Sequence, residues 1–157
     1  MNKTFINKTV ISIMILCGIS MLAGCANKTE VVDAPVPDGI SMDGYTLEST
    51  DFPDEIKVVQ ENGRPVFIYS QTPGVNFAGV KIGDTYKTMV DTIGDKYEPF
   101  YSVHDPENAN IGWYVLNDTY DVVIFDFDLM DGSYVNDPVS DDATIKGITL
   151  SNLKYFD

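Results

Sequence analysis

Histidine, arginine and tryptophan occur once each in this 157-residue chain, as His104, Arg64 and Trp113, and cysteine only twice, as Cys17 and Cys25. One histidine rules out a multi-histidine zinc site. Ten basic residues against 24 acidic ones give a formal charge of −14. Such a field repels nucleic acid, and no basic patch offsets it. No glycine-rich phosphate loop is present, because Gly79-Val80-Lys81-Ile82-Gly83 lacks the Gly-Lys-Ser/Thr ending. The chain has one long apolar run, at its start.

That run carries the most informative residues. Lys3 and Lys8 precede a mostly apolar stretch from Val10 to Leu22, which closes on Leu22-Ala23-Gly24-Cys25. Charge, apolar segment, then small residues is the order of a secretory signal. The uncharged stretch is short for a span of about 20 residues, and no basic stop signal follows it. Cys17 is a poor alternative site, because bulky Leu16 stands before it. The segment resembles bacterial lipoprotein signal peptides. The resemblance implies cleavage between Gly24 and Cys25, a diacylglyceryl thioether on the Cys25 sulfur, and acylation, by palmitate for example, of the new amino group. One acyl chain holds a membrane marginally and two hold it stably, at about 0.8 kcal/mol per buried CH₂.

Removing 24 of the 157 residues leaves 133, enough for one domain. All 24 acids but only 8 basic residues remain, so the formal charge becomes −16. An anionic bilayer repels such a domain, so the lipid rather than the protein surface must hold the membrane. With the one remaining cysteine lipidated, no intrachain disulfide forms, and stability must come from the core.

Residues 25–53 read as the lipidated N-terminus and a flexible linker. Pro35, Pro37, Gly39, Gly44 and Pro53 punctuate it, and no sustained period appears. A flexible stretch of that size has an r.m.s. reach of roughly 25–30 Å. A single α+β domain then covers 54–157. Ile56–Val59 and Pro65–Tyr69 flank Asn62-Gly63, the strongest short hairpin signal. A short helix is expected over about 85–93, capped by Asp84, with Met89, Val90 and Ile93 on one face and Gly94 as its terminating glycine. Residues 94–110 read as irregular. Trp113–Leu116 and Tyr120–Leu129 read as an antiparallel pair; Val123, Phe125, Phe127 and Leu129 alternate onto the core face, and Asp126 and Asp128 fall on the other. Ser133–Val135 reads as a short return strand, and Thr144–Leu150 as the last strand.

Few residues offer chemistry. Asp126 and Asp128 share a strand face as a glycosidase pair could, but that mechanism also needs a cleft that raises one carboxyl's pKa. The acids after Phe125 do not fit an EF-hand, since counting from Asp126 puts Asp131 where glycine belongs. The loop acids Asp137, Asp141 and Asp142 are the remaining metal candidates, and a solvated acidic hairpin end is the simpler reading. His104 falls in the stretch read as irregular, beside Asp105-Pro106, without a serine partner for a triad. Tyr97, Phe100, Tyr101 and Trp113 are the best candidates for a partner-binding surface, since loop aromatics anchor proteins and glycans well. The competing reading is that they cap an open end of the core.

Ile82-Gly83-Asp84-Thr85, then Met89, then Ile93-Gly94 resembles a motif of the small lipoprotein of the outer-membrane barrel-assembly machine and its relatives with a β-lactamase-inhibitor-like fold. Trp113-Tyr114-Val115 and Phe125-Asp126 to Asp131-Gly132 fit its later strands loosely. The proline usual after the second glycine of the motif is missing, and a second helix is hard to find. The resemblance implies helical elements packed on an antiparallel sheet and a non-catalytic protein–protein role.

The sequence thus predicts an α+β domain, with one or more short helices on an antiparallel sheet of about four to six strands, behind a signal peptide and a tether. It points to a non-catalytic, cofactor-free lipoprotein on the extracytoplasmic face of the cell membrane. Its partners are the bilayer, through acylated Cys25, and a protein or wall component. The alternatives are an inhibitor of a secreted hydrolase and a calcium-binding module.

Overall fold

The computed structural model describes residues 30–33 (backbone only), 39–49, 56–127 and 139–155. Their centre is an antiparallel sheet built outward from one hairpin. β4 (Ile56–Glu61) and β5 (Arg64–Ser70) join through Asn62-Gly63, with φ of 52° and 77°. Two consecutive positive φ values define the turn that matches strand twist, and Asn-Gly adopts them at low cost. β11 (Gly147–Asn152) inserts beside β5, pairing Ile148 with Ser70 and Leu150 with Ile68. β10 (Asp121–Asp126) follows, then β9 (Asp105–Val115) and β8 (Glu98–Ser102) at the edge. β1 (Glu30–Asp33) closes the other edge on β4, giving the order β1-β4-β5-β11-β10-β9-β8.

One face of this sheet carries the main core. Val58, Ile68, Val123, Phe125, Ile148 and Leu150 project onto it. Three small elements cover them: the helix α1 (Tyr86–Ile93), the hairpin β2–β3 (Ile40–Met42 and Tyr45–Leu47), and the hairpin β6–β7 (Asn76–Phe77 and Val80–Lys81). α1 has eight residues, too few to persist alone in water, and its stability comes from burying Met89 and Ile93. Phe77 sits at the centre, with its ring 5.7 Å from Tyr97 and 6.4 Å from Phe125. Tilted and edge-on pairs of this kind add about 0.5–1.5 kcal/mol beyond area burial. Among the described residues no helix is long and apolar enough to cross a membrane.

The architecture is α+β with a dominant β content, as the alternation of apolar residues implied, and several expectations need correction. The linker expected over 25–53 is not a linker at residues 39–49. Met42 and Leu47 are 0% exposed in the core, and Glu48 exchanges two 2.8 Å backbone hydrogen bonds with Asn76. β1, also in the expected linker, supplies a seventh strand where four to six were expected. Thr85 rather than Asp84 caps α1: its Oγ1 accepts from the Thr88 N–H at 3.2 Å, while Asp84 Oδ2 accepts from the Lys81 N–H at 2.8 Å. Gly94 ends the helix with φ −57°, a right-handed conformation, so left-handed freedom is not its role. A Cβ there would stand 2.6 Å from the Val90 carbonyl oxygen, so close approach explains the glycine instead.

Residues 94–110, expected to be irregular, contain β8 and most of β9. Asp126, expected on the strand face away from the core, is 3% exposed, and every residue of β10 is buried. The second sheet face is itself apolar there, with Trp113, Val122 and Ile124 in one cluster and Val59, Phe67 and Tyr69 in another. Asp128 and the short strand expected at Ser133–Val135 lie outside the described residues.

Candidate partner-binding hairpin

The β8–β9 hairpin forms one edge of the sheet. β9 has eleven residues and β8 five, yet they pair from Glu98–Val115 to Ser102–Asp105. The excess is taken up in two places. Between Pro99–Tyr114 and Tyr101–Ala109 the register shifts once, and between Tyr101–Ala109 and Ser102–Asp105 it shifts again. Gly112 lies in the first shift with φ 78°, a backbone that a larger residue would adopt only with strain. Asn108 in the second donates through Nδ2 to both carboxylate oxygens of Asp105, at 3.1 and 3.2 Å. Among the described residues β9 pairs with β10 over Trp113–Val115, and towards the tip it pairs with β8. Bulges of this kind bend a strand and re-aim its side chains.

At the tip, Val103 and His104 form a two-residue turn, and the His104 N–H donates to Ser102 Oγ at 3.2 Å. Val103 is 89% exposed and Tyr101 51%. An exposed valine on a turn gains nothing from folding, since its apolar area stays in water. The tip carries Asp105 and Glu107 nearby, both exposed, against a single histidine.

The base of the hairpin is packed on both faces. Phe100 stacks on Trp113, with centroids 5.5 Å apart and planes 28° apart. Tyr114 points to the opposite face and meets Phe125 edge-on at 6.3 Å. Burial pushes the Tyr114 phenol above its usual range, with a smaller contribution from Tyr86. The turn into β10 is tied by a polar knot that the sequence reading missed. Asp121 is 0% exposed, and its carboxylate accepts from Asn117 Nδ2 at 2.6 Å and Asn152 Nδ2 at 2.7 Å. Asn117 Oδ1 in turn accepts from the Thr119 N–H at 2.9 Å. A buried carboxylate is tolerable when its lone pairs are met in this way. The signal was present in Asn117-Asp118-Thr119-Tyr120-Asp121, a stretch of side chains that favour local backbone hydrogen bonds. Tyr45 donates its hydroxyl to the Leu116 carbonyl beside this knot, which joins the β2–β3 hairpin to it.

The four aromatic candidates therefore do not form one patch. Tyr97 packs on the main core against Phe77, Phe100 and Trp113 stack on the opposite face, and Tyr101 alone is exposed. Val103, which joins Tyr101 at the tip, was missed, because an isolated valine between Ser102 and His104 carries no distinguishing pattern. Gly24 and Cys25 lie outside the described residues, as does Asp137. Asp141 and Asp142 are both exposed. The Asp141 carbonyl accepts from the Lys87 N–H at 3.0 Å. The Asp142 carboxylate accepts from Ser140 Oγ, which holds it below the usual carboxylate range. Among the described residues no three metal-capable side chains gather.

No family model, curated protein or solved structure matches this chain.

Proposed function

We propose that this chain is a membrane-anchored, non-catalytic lipoprotein of the cell envelope that binds a protein partner through the tip of its β8–β9 hairpin. The anchor rests on sequence, on Leu22-Ala23-Gly24-Cys25 closing an apolar run. The binding role rests on one observation: an edge hairpin, packed at its base by the Phe100–Trp113 stack, exposes Tyr101 and Val103 at its end. A protein is favoured over a wall polymer, since a valine side chain suits an apolar pocket and offers no hydrogen bond to a glycan. Glu98, Asp105 and Glu107 on the same hairpin favour a pocket with a basic rim.

The test is affinity capture of the full chain from detergent-solubilised membranes, beside a Tyr101→Ala/Val103→Ser variant. The reading expects a protein that co-purifies with the parent chain and is depleted at least roughly tenfold with the variant, as for an anchor worth about 1.4 kcal/mol or more. Equal capture by both chains refutes the hairpin's role. A second reading follows from the same tip, which has the outline of a segment that enters a cleft: inhibition of a secreted hydrolase. Secreted hydrolases assayed with the purified chain would lose activity to the parent and not to the variant. A panel that shows no inhibition removes this reading.

A further inference from the structure

The strand order fixes where the hairpin tip stands relative to residue 25. β1 pairs with β4 in the register Glu30–Gln60 to Asp33–Lys57, so its first residue lies at the end of the sheet that carries the Asn62-Gly63 turn. Only residues 26–29 separate Glu30 from Cys25, so the two Cα atoms are at most about 18 Å apart. A flexible linker through residue 53 would have left the domain free to tumble. The β1–β4 pairing replaces that with a short leash to one corner.

The hairpin lies at the far corner. β1 and β8 are the two edges of a seven-stranded sheet, so six interstrand gaps separate them, about 29 Å at about 4.8 Å each. The strands also run the other way. Glu98 pairs with Val115 at the Asn62-Gly63 end, and β8 then climbs to Val103 at the opposite end. Following the pairings across the sheet puts Val103 six residue levels above Glu30, about 20 Å. The diagonal is then about 35 Å.

Building on the lipoprotein reading, we propose that the lipid on Cys25 holds the domain by its β1 corner and presents the Tyr101–Val103 tip away from the bilayer. The partner it fits is a protein whose pocket stands off the membrane, not a lipid headgroup and not a membrane-embedded groove. Lipid would occupy the Cys25 sulfur, and Cys17 leaves with the signal peptide, so one introduced cysteine is the only free thiol. Lipidated full-length product carrying Arg64→Cys or Val103→Cys is labelled with a donor dye. Each is placed in vesicles of neutral and anionic phospholipid with an acceptor on the headgroups. Both positions are exposed, and Arg64→Cys gives up only a surface ion pair with Asp43.

The proposal expects at least roughly twofold more transfer from position 64 than from position 103, given their separation along the diagonal. Inserting ten Gly/Ser residues after Lys28 should bring the two values together, since the leash then has coil reach. Equal transfer from both positions in the parent chain overturns the geometry while leaving the lipoprotein reading intact. Greater transfer from position 103 inverts the orientation and refutes the proposal outright. Mass spectrometry that shows no lipid on Cys25 removes the premise, and the proposal falls with it.

Discussion

Leu47 separates two accounts of the N-terminal third. If residues 25–53 were a linker, Leu47→Ala would be a surface change, within about 0.5 kcal/mol of neutral. In the structure Leu47 is 0% exposed and shares the main core with Met42, Phe77 and Val80. Removing a buried leucine to alanine loses the transfer energy of three carbons and leaves a cavity, costing about 2–5 kcal/mol. The site has limited room to collapse. The β2–β3 hairpin is held at both ends, by the Glu48–Asn76 backbone pair and by the Tyr45 hydroxyl on the Leu116 carbonyl. A cost of about 3 kcal/mol is therefore expected, which lowers Tm by roughly 10 °C for a domain of this size. Urea and thermal unfolding of the mature-length chain carrying Cys25→Ser measure it. Ser41→Ala serves as the control, since it removes only an exposed hydroxyl contact with Thr46 and should fall within about 0.5 kcal/mol. A Leu47→Ala chain as stable as the control would return residues 39–49 to the linker and refute the packing described.

Three further changes probe other parts of the fold. Thr85→Ala should cost about 1 kcal/mol by denaturant unfolding, because it removes the α1 cap to the Thr88 N–H; a cost near zero would hand the capping role to Asp84. Gly147→Ala should cost about 1–3 kcal/mol, since the new Cβ would stand 2.9 Å from Tyr69 Cε2 and the Tyr69 ring is itself buried. An unchanged Tm there would mean that the ring moves freely. Tyr114→Phe tests the alkaline limb. The folded phenol is raised above the ordinary value of 10.0, so stability is complete below about pH 10. As pH rises towards the folded value, the unfolded chain has released its proton and the folded chain has not, and stability falls. The variant should lose stability less steeply above pH 10, and parallel curves would show that Tyr114 contributes nothing to that limb.

What was legible in the sequence follows from how local each signal is. Asn62-Gly63 was readable because the turn is decided by two adjacent residues with φ of 52° and 77°. Met89 and Ile93 marked the core face of α1 because helical spacing is local too. The β2–β3 hairpin was not readable. Each strand has three residues and sends one side chain fully into the core, too few to show a period, while Gly39 and Gly44 look like linker punctuation. Both glycines in fact hold positive φ, 119° and 92°, and a Cβ on Gly39 would meet the Leu47 carbonyl at 2.6 Å. Pro99 and Pro106 argued against strands in 94–110, but both lie in the edge hairpin, where a missing N–H is tolerated. Asp126 shows the limit of alternation. Period two says which residues share a face, not whether that face meets water, and β10 is covered on both.

The edge position of β8 also constrains how the hairpin can bind. An open edge strand offers a row of N–H and C=O groups to any passing strand, and proteins that keep such edges usually blunt them. β8 is five residues long, carries Pro99 at its second position, and is thrown out of regular pairing twice within its length. Glu98, Asp105 and Glu107 add charge to the same hairpin. A partner therefore gains little from adding a strand here, because the template is short, interrupted and charged. Recognition has to come from side chains, and the exposed apolar ones on the hairpin are Tyr101 and Val103 at its tip. The bulges that deny strand addition lie on the same hairpin that carries this tip, where they re-aim its side chains.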